Sequence, residues 1–584
     1  MASQQHIVQK FTIEIGLPDS ERAFALQTKI TNDYQRLFLK SMNEVFDQLV
    51  GIDEVVIVDK LEIDLGAFSP EEMEQELPEK IKKEIEEALS NLLNQARADK
   101  NNFTAVHLTT ASGTAITVHV KVQRTSQSLF ETLLYFLEYG IVPWSADGKQ
   151  KPDTRYLVSE AMIHHPEELR RALLTLSSRK YIFRRLAFQL PGDQLQYLAA
   201  ILECNFSAAL DTLINSMSEW VRSYMQKVTT AKPRISSQNK KNRSALPDFT
   251  SADFPTSNAS TGFPTGSASM DFPSDSASMD FPSDSASTDF SSGNASTDFS
   301  PAFLKQKIWE ETLHYFVSPE FRNGNVMGET AMIKYVATVV EHILATARIK
   351  PSASMLKEFK SNEMYSNIIK AALEQLILTH KKSIPVNESA PAVATVKKNE
   401  EYFPEAPDIE EGVYIKNAGL VILAPYLPGF FRNLGLVEGK EFINEEAKWK
   451  AVHILQWLAE GDKDVAEGED EILTEHDLLL NKIICGMDIA EPIPVTLELT
   501  PSDKLEGMTL LISIIANWSI IKNSSVHTLR TTFLQKEGRL SREDENWNLF
   551  IHRDSAIDML IDKLPWGIAM TKLPWNKRIV YVEW

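Results

Sequence analysis

The chain opens with apolar residues at Ile7, Phe11, Ile13 and Ile15 and polar ones between them, the period-two pattern of a strand with one buried face. Gly16, Leu17 and Pro18 end it. Asp19 and Ser20 offer N-cap oxygens, and Leu26, Ile30, Tyr34, Leu37, Phe38, Met42, Val45, Phe46 and Leu49 then recur at three and four residues, which predicts a long amphipathic helix. After Gly51 alternation returns, with Ile57, Leu61, Ile63 and Leu65 on one side and Lys60, Glu62 and Asp64 on the other. A charged helix is expected from Pro70 to about Ala98. A hairpin follows, Phe103 to Leu108 and Ile116 to Val122, turned at Ser112 and Gly113. Residues 1–125 therefore read as one α+β domain.

From Leu129 to Met225 the stripes are helical, with Leu129, Leu133, Phe136 and Leu137 on one and Leu195, Leu198, Ile201 and Leu202 on another, so 126–225 is expected to form helix hairpins. A linker follows over 226–300. Its start is basic: Arg222, Lys227, Lys232, Arg234, Lys240, Lys241 and Arg243 come without an acid between them, and the next cation is Lys305. Inside it runs a nine-residue repeat of the form Ser-Ala-Ser-Met-Asp-Phe-Pro-Ser-Asp, whose phenylalanines fall at 254, 263, 272, 281, 290 and 299. One large apolar side chain per repeat cannot offset the entropy of ordering, so disorder is expected. A Ca²⁺-binding β-roll also has a nonapeptide period, but it needs glycine-rich turns that this segment lacks.

Helical pattern resumes over 301–380 through Trp309, Tyr315, Ile333, Val336 and Leu344, and a second linker, with Pro385, Pro391, Pro404 and Pro407, covers 381–411. Residues 412–584 read as a mainly helical domain. Its stripes are Ala451, Val452, Leu455 and Leu458, then Leu479, Ile483 and Ile484, then Leu511, Ile514, Ile515 and Trp518. Short strands close it at Trp547 to Ile551, Ile568 to Leu573 and Ile579 to Val582. The expected fold is mainly α with α+β end domains, multi-domain, joined by disordered low-complexity linkers.

Composition narrows the chemistry. At roughly 150 residues per domain, 584 residues make about four units. The 80 acidic residues outnumber 60 basic ones, a net charge of −20 that disfavours nucleic-acid binding by the chain as a whole. Two isolated cysteines, Cys204 and Cys485, exclude a disulfide framework and a cysteine-based zinc site. Lys10, Glu14 and Asp19 interrupt any signal-peptide core. The longest uncharged runs, Ala418 to Phe431 and Met508 to Ile521, fall short of the ~20 residues a bilayer span needs and read as buried segments.

Nucleophile-elbow, phosphate-loop and dinucleotide signatures, all of which need glycines at fixed offsets, do not occur. Cys485 lies in an apolar stretch and reads as buried and structural. His164 and His165 point to different sides of a helix and suit surface or capping roles, while His453 and His476 come without a third ligand or an acidic orienter. Glu445 with Glu446, Glu469 to Glu471, and Glu543 to Glu545 suit solvated helix starts and loops better than an acid and base of a hydrolase. No catalytic, cofactor or metal constellation is expected.

Several segments carry a more particular signal. They are His6-Ile7-Val8-Gln9-Lys10, Asp59-Lys60-Leu61-Glu62-Ile63-Asp64-Leu65-Gly66, and Phe136-Leu137-Glu138-Tyr139-Gly140 leading to Pro143-Trp144. Towards the end come Ala418-Gly419-Leu420-Val421-Ile422-Leu423, Pro425 to Pro428, Leu434-Gly435-Leu436, Ile483-Ile484-Cys485-Gly486-Met487 and Trp518. Leu529-Arg530, Phe533-Leu534 and Glu537-Gly538 follow, then Leu564-Pro565-Trp566, Leu573-Pro574-Trp575 and Val582-Glu583-Trp584. Together they resemble the tape-measure protein family of contractile injection systems, the phage-tail-like particles of bacteria.

The resemblance implies a non-catalytic assembly protein that lies as an oligomer in the lumen of the inner tube and sets tube and sheath length. It would be made in the bacterial cytoplasm and end inside the particle, with inner-tube subunits, the baseplate hub and a terminal cap as partners, and with no nucleic acid and no membrane span. Alternatives are a baseplate or tube-initiation adaptor that does not span the lumen, and a lumen-carried effector enzyme. The doubled Leu-Pro-Trp has two readings. Trp566 and Trp575 could cover a small terminal sheet, with Pro565 and Pro574 at strand starts. Or Leu564, Pro565, Trp566, Leu573, Pro574, Trp575 and Trp584 contact a partner, anchoring the C-terminal domain to the hub.

Overall fold

A computed structural model describes residues 6–8, 11–16, 30, 38–66, 76–97, 104–109, 115–146, 153–202, 207–231, 301–322, 328–347, 349–358, 365–382, 412–462, 473–553 and 555–584. The nine-residue repeats, most of the second linker, and the acidic run Glu469 to Glu471 lie outside these residues. The chain divides into two units, one of residues 1–222 with 299–584 and one of residues 223–298. The first carries the sheets and the helical layer.

Near the N-terminus, helix α1 (Lys40–Leu49) leads to strand β1 (Glu54–Val58), helix α2 (Leu77–Ala96), strand β2 (Thr104–Thr109) and strand β3 (Ala115–Arg124). Helix α2 carries an apolar residue at every third or fourth position, and this one stripe serves two cores. Its first half, Leu77, Ile81 and Ile85, buries Met42 and Val45 of α1. Its second half, Leu89, Leu92 and Leu93, covers Val106, Val118 and Val120. The sheet is antiparallel in the order β1-β3-β2, with Val56 opposite Val122 and Val106 opposite Val118.

The alternating opening segment does not join this sheet. Residues 11–16 belong to no strand and their side chains are exposed, and residues 59–66 after β1 are likewise outside any ladder. Alternation supplies a face to bury but not a backbone partner: residues 11–16 pair with neither β1 nor β2, the two edge strands of this sheet.

A helical layer comes next: α3 (Thr125–Tyr139), α4 (Thr154–His164), α5 (Pro166–Thr175), α6 (Lys180–Gln189), α7 (Gly192–Ile201) and α8 (Ser207–Ala231). After the repeats it continues with α9 (Pro301–Val317), the single turn α10 (Pro319–Arg322), α11 (Glu329–Thr346) and α12 (Ser366–Lys382). Asp153 caps α4 by accepting the Arg155 N–H at 3.2 Å. Helix α9 packs on α6 and α11, and α11 packs on α12. The Lys305 ammonium of α9 reaches the Asp211 carboxylate of α8 at 3.4 Å, so the chain before the repeats and the chain after them belong to one body.

The C-terminal region runs β4 (Val413–Ile415), a 3-10 helix Ala418–Leu423, α13 (Leu427–Asn433), the small hairpin β5 (Val437–Glu438) and β6 (Glu441–Phe442), α14 (Glu445–Glu460), α15 (Leu479–Ile484), α16 (Pro501–Asn517), α17 (Val526–Leu529), β7 (Gly538–Glu543), β8 (Asn546–Ile551), β9 (Met570–Thr571) and β10 (Val580–Glu583). Asn444 caps α14, accepting from the Ala447 N–H at 2.7 Å, and Thr500 with Asp503 forms a reciprocal capping box on α16. Leu455, Leu511, Ile514 and Trp518 meet in one core, where Trp518 packs on Phe533 at 4.8 Å between ring centres. A Cβ on Gly419 would fall 1.7 Å from the Phe533 carbonyl oxygen, so the 3-10 helix reaches its seat only with glycine there. The sheet order is β4-β7-β8-β10-β9, parallel between β8 and β10 and antiparallel elsewhere. No helix among the described residues is long and apolar enough to cross a membrane.

Candidate functional site

Helix α6, Lys180-Tyr181-Ile182-Phe183-Arg184-Arg185-Leu186-Ala187-Phe188-Gln189, has polar groups on two faces and binds a different part of the chain with each. Lys180 and Arg184, four residues apart, share one side of the helix. They meet two adjacent buried carboxylates of α9. Arg184 Nε donates to Glu310 at 3.2 Å and Lys180 Nζ lies 2.5 Å from Glu311. Lys307 donates to Glu310 at 2.7 Å, and the His342 imidazole of α11 bonds Glu311 at 2.9 Å. Burial works against ionising Glu311, but the bonds from His342 and Lys180 win and hold its carboxyl at about 2.

Arg185 and Gln189 occupy the other face and reach the C-terminal region. Arg185 Nε donates to Glu475 Oε2 at 3.0 Å, its Nη2 to the Ala490 carbonyl at 2.5 Å and its Nη1 to the Leu137 carbonyl. Gln189 Nε2 donates to the same Glu475 oxygen at 3.2 Å and to the Ile493 carbonyl at 3.4 Å. From the other side, Lys482 Nζ donates to Glu475 Oε1 at 2.5 Å and to the Ile489 carbonyl at 3.0 Å. Arg185, Glu475 and Lys482 are all fully buried. Two cations thus share one carboxylate, and backbone carbonyls take up the remaining donors. Burial pushes the Lys482 ammonium below the ordinary lysine range, against the pull of Glu475.

Gly140 closes this cluster from above. It ends α3 at φ 73°, and a Cβ there would lie 2.8 Å from Arg185 Nη2 and 3.0 Å from Glu475 Oε1. Two residues on, the Val142 N–H donates to His476 Nδ1 at 3.4 Å. Aromatic rings seal the flank, with Phe303 4.9 Å and Phe188 5.4 Å from Trp449.

The second constellation is the doubled Leu-Pro-Trp. Its tryptophans lie on the helical side of the region. The Trp566 indole N–H donates to the Ile422 carbonyl at 3.1 Å while its ring packs edge-on against Tyr426 at 5.1 Å. The Trp575 N–H donates to the Ile484 carbonyl at 2.9 Å, with Phe442 at 5.2 Å and Phe431 at 5.5 Å from its ring. Asn576 adds a bond to the Ile483 carbonyl at 2.6 Å. Each indole thus satisfies a carbonyl at a helix C-terminal end. Pro565 follows a 3-10 helix (Ala556–Lys563) and Pro574 follows β9, so neither starts a strand. The ring beneath the sheet is Trp547. Leu573 is buried, Leu564, Trp566, Trp575 and Trp584 are half-buried, and Pro565 and Pro574 are exposed.

A cleft of about 520 Å³ lies beside α14, lined by His453, Trp457, Glu460, Leu497, Leu499 and Lys504. His453 Nε2–H donates to the Pro494 carbonyl at 2.7 Å, and burial lowers this imidazole to about 4 despite that bond. The Arg530 guanidinium stacks on Trp457 at 4.9 Å. The other candidate groups take ordinary roles. Burial pushes the Cys485 thiol up, His164 lies 3.5 Å from Glu160, and His165 stacks on Phe130. Glu445 and Glu446 occupy the first turn of α14, and Glu543 to Glu545 turn the β7–β8 hairpin. Among the described residues no group of three or more His, Cys, Asp or Glu side chains is placed to hold a metal ion.

The segments that carried the family resemblance meet in this geometry. Leu137 and Gly140 of Phe136-Leu137-Glu138-Tyr139-Gly140 shape the Arg185 seat, and Ile483 and Ile484 receive the bonds from Asn576 and Trp575. A family model for contractile injection system tape measure proteins matches residues 5–584. No curated protein and no solved structure matches. The chain belongs to the contractile injection system tape measure family. That family has a structural role in tail-like particles, working with tube and sheath components.

Proposed function

We propose that the chain lies in the lumen of the inner tube, in more than one copy, and sets the length of tube and sheath without catalysing a reaction. The family match over residues 5–584 carries this reading. In it, the folded body is the form before assembly, and the chain extends as the tube is built. A fully helical chain of this length would reach roughly 880 Å, and each nine-residue repeat would add roughly 28 Å when extended. The body has a place to part: the α6 joint is held by charged groups that water can solvate once it opens. The partners are inner-tube subunits, the baseplate hub and a terminal cap. The segment from Leu564 to Trp584 faces the hub, with Leu564, Pro565, Trp566, Leu573, Pro574, Trp575 and Trp584 as its contacts.

Deleting Phe254 to Phe299 in the producing strain and measuring particles by electron microscopy tests this. Shorter, still uniform particles are expected, and unchanged lengths would overturn a ruler that includes the repeats. One observation favours a second reading, a tube-initiation adaptor that never spans the lumen. The two flanks of the repeats lie on one body, with Asp211 and Lys305 paired between them, so in the folded state added repeats separate nothing. Loss of all particles in the same experiment would support the adaptor.

A further inference from the structure

The C-terminal sheet buries one face on the helices, through Ile415, Leu540, Trp547, Leu549, Ile551 and Val580. A sheet with one solvated face ordinarily turns polar residues outward. Here the outward positions include Tyr414, Phe550, Tyr581 and Met570, which are 47%, 42%, 44% and 59% exposed. Register makes them one patch. Tyr414 pairs with Arg539, Arg539 with Phe550 and Phe550 with Glu583, giving one row across β4, β7, β8 and β10. The adjoining row runs Ser541, Asn548, Tyr581 and Met570 across β7, β8, β10 and β9. Tyr581 lies diagonally beside Phe550 and opposite Met570, so these three are contiguous, with Tyr414 beyond Arg539 in the first row.

The charge beside this patch runs against the rest of the chain. From Lys563 to Val582 there are four cations, Lys563, Lys572, Lys577 and Arg578, and no acid, in a chain of net charge −20. Arg578 faces Asp488 at 3.4 Å, whereas Lys563, Lys572 and Lys577 are exposed. Lys572 stands two residues beyond Met570, just past the end of β9, and its ammonium donates to the Lys577 carbonyl at 2.6 Å, which gathers these cations at the β9 end. Glu583, opposite Phe550 and two residues from Tyr581, is an acid within the patch.

We propose that this outer sheet face is a docking surface for another protein of the particle, one that presents an apolar patch with an acidic rim. Complementarity selects that occupant. A second copy would offer this patch only Glu583 as an acid against three exposed lysines, and a nucleic acid would be repelled by a chain of net charge −20. The inference rests on the proposed function only in taking the partner from the particle. It adds the sheet face to the contact proposed for the Leu564 to Trp584 segment, in which Trp566 and Trp575 already commit their N–H groups internally.

The test is a binding titration of the purified full-length chain against purified inner-tube subunit and purified baseplate hub protein, at low and high salt. One of the two should bind. The pair Lys572→Glu with Lys577→Glu should weaken binding tenfold or more and flatten the salt dependence. The pair Phe550→Ser with Tyr581→Ser should weaken it similarly while leaving the salt dependence in place. Thermal unfolding of each variant checks that the fold survives, and Met570→Ser with Tyr414→Ser replaces a pair that does not fold. Binding by the parent that neither pair weakens overturns the proposal, and so does binding to neither protein. Self-association of the parent that both pairs abolish would assign the face to a second copy and equally overturn it. Particle length under repeat deletion is a separate readout, so the length-setting role can fail without this surface failing, and the reverse.

Discussion

The joint around α6 and the core of the C-terminal region are both sealed from water, and they are held by opposite means. At the joint, two cations and a carboxylate share donors with backbone carbonyls. In the core, Leu455, Leu511, Ile514 and Trp518 interlock with no charge among them. Apolar packing stabilises wherever it excludes water, and tolerates a neighbour of similar volume. A buried ion cluster gains little net free energy, because desolvation cancels much of the attraction, but it accepts one arrangement only. The core therefore supplies stability while the joint supplies register. It decides that α3, α6 and the Glu475 segment meet here, and it can be hydrated when they part.

The largest expected effect breaks the joint. Glu475→Ala strands Arg185 and Lys482 in a dry site, and urea unfolding should show a loss of about 3–5 kcal/mol. A loss below about 1 kcal/mol would mean that water already reaches the cluster. Replacing all three residues together, Arg185→Met, Glu475→Leu and Lys482→Met, should restore most of that stability, which no account based on net attraction would allow.

Ile514→Ala in the core should cost about 3 kcal/mol from lost contacts and the cavity left behind. It should leave the joint intact, so Glu475→Ala should cost as much in the Ile514→Ala background as in the parent.

The pH response sharpens the comparison. Burial lowers His453 to about 4 in the fold, while the unfolded chain titrates near 6.5. Its neutral form is the folded one, so this stability is fully present above pH 6.5 and is lost as pH falls towards 4. The total is about 3 kcal/mol, and His453→Gln should flatten that part of the profile. Glu311, held at about 2, acts at lower pH. Its contribution is present above 4.5 and fades as pH falls through 2, so the α6–α9 face outlasts the His453 region in acid. Thermal unfolding across pH 7 to 3 reads both.

The smallest effect is at the clasp. Trp575→Phe keeps the ring near Phe442 but leaves the Ile484 carbonyl without its indole donor, a loss of about 1 kcal/mol in the same assay.

The sequence made the periodic elements legible. The charged helix that becomes α2, the β2–β3 pairing, the α16 stripe ending in Trp518, and the closing strands near Trp547, Met570 and Val580 are local patterns and could be read from the sequence. The opening segment shows the limit of that logic. Ile13 and Ile15 alternate as a strand would, yet pairing depends on tertiary placement, and they join neither edge strand, β1 or β2. The Arg185 cluster was hidden for the same reason. In Phe183-Arg184-Arg185-Leu186 the two arginines look alike, and nothing local says that Arg185 enters a dry site, because its carboxylate lies 290 residues away. Trp566 and Trp575 were visible as candidates but not in their direction. They serve helix ends, and that assignment depends on the tertiary path of the chain between Ile422 and Ile484.

The most direct test of the central claim, that the folded body extends in the lumen and measures it, is a graded series. Strains carrying one, two and three added Ser-Ala-Ser-Met-Asp-Phe-Pro-Ser-Asp units would be compared by electron microscopy of uncontracted particles. Uniform populations that lengthen by roughly 28 Å per unit are expected. Identical lengths across the series would contradict it, and would leave the repeats as a loop on a body that stays closed between Asp211 and Lys305.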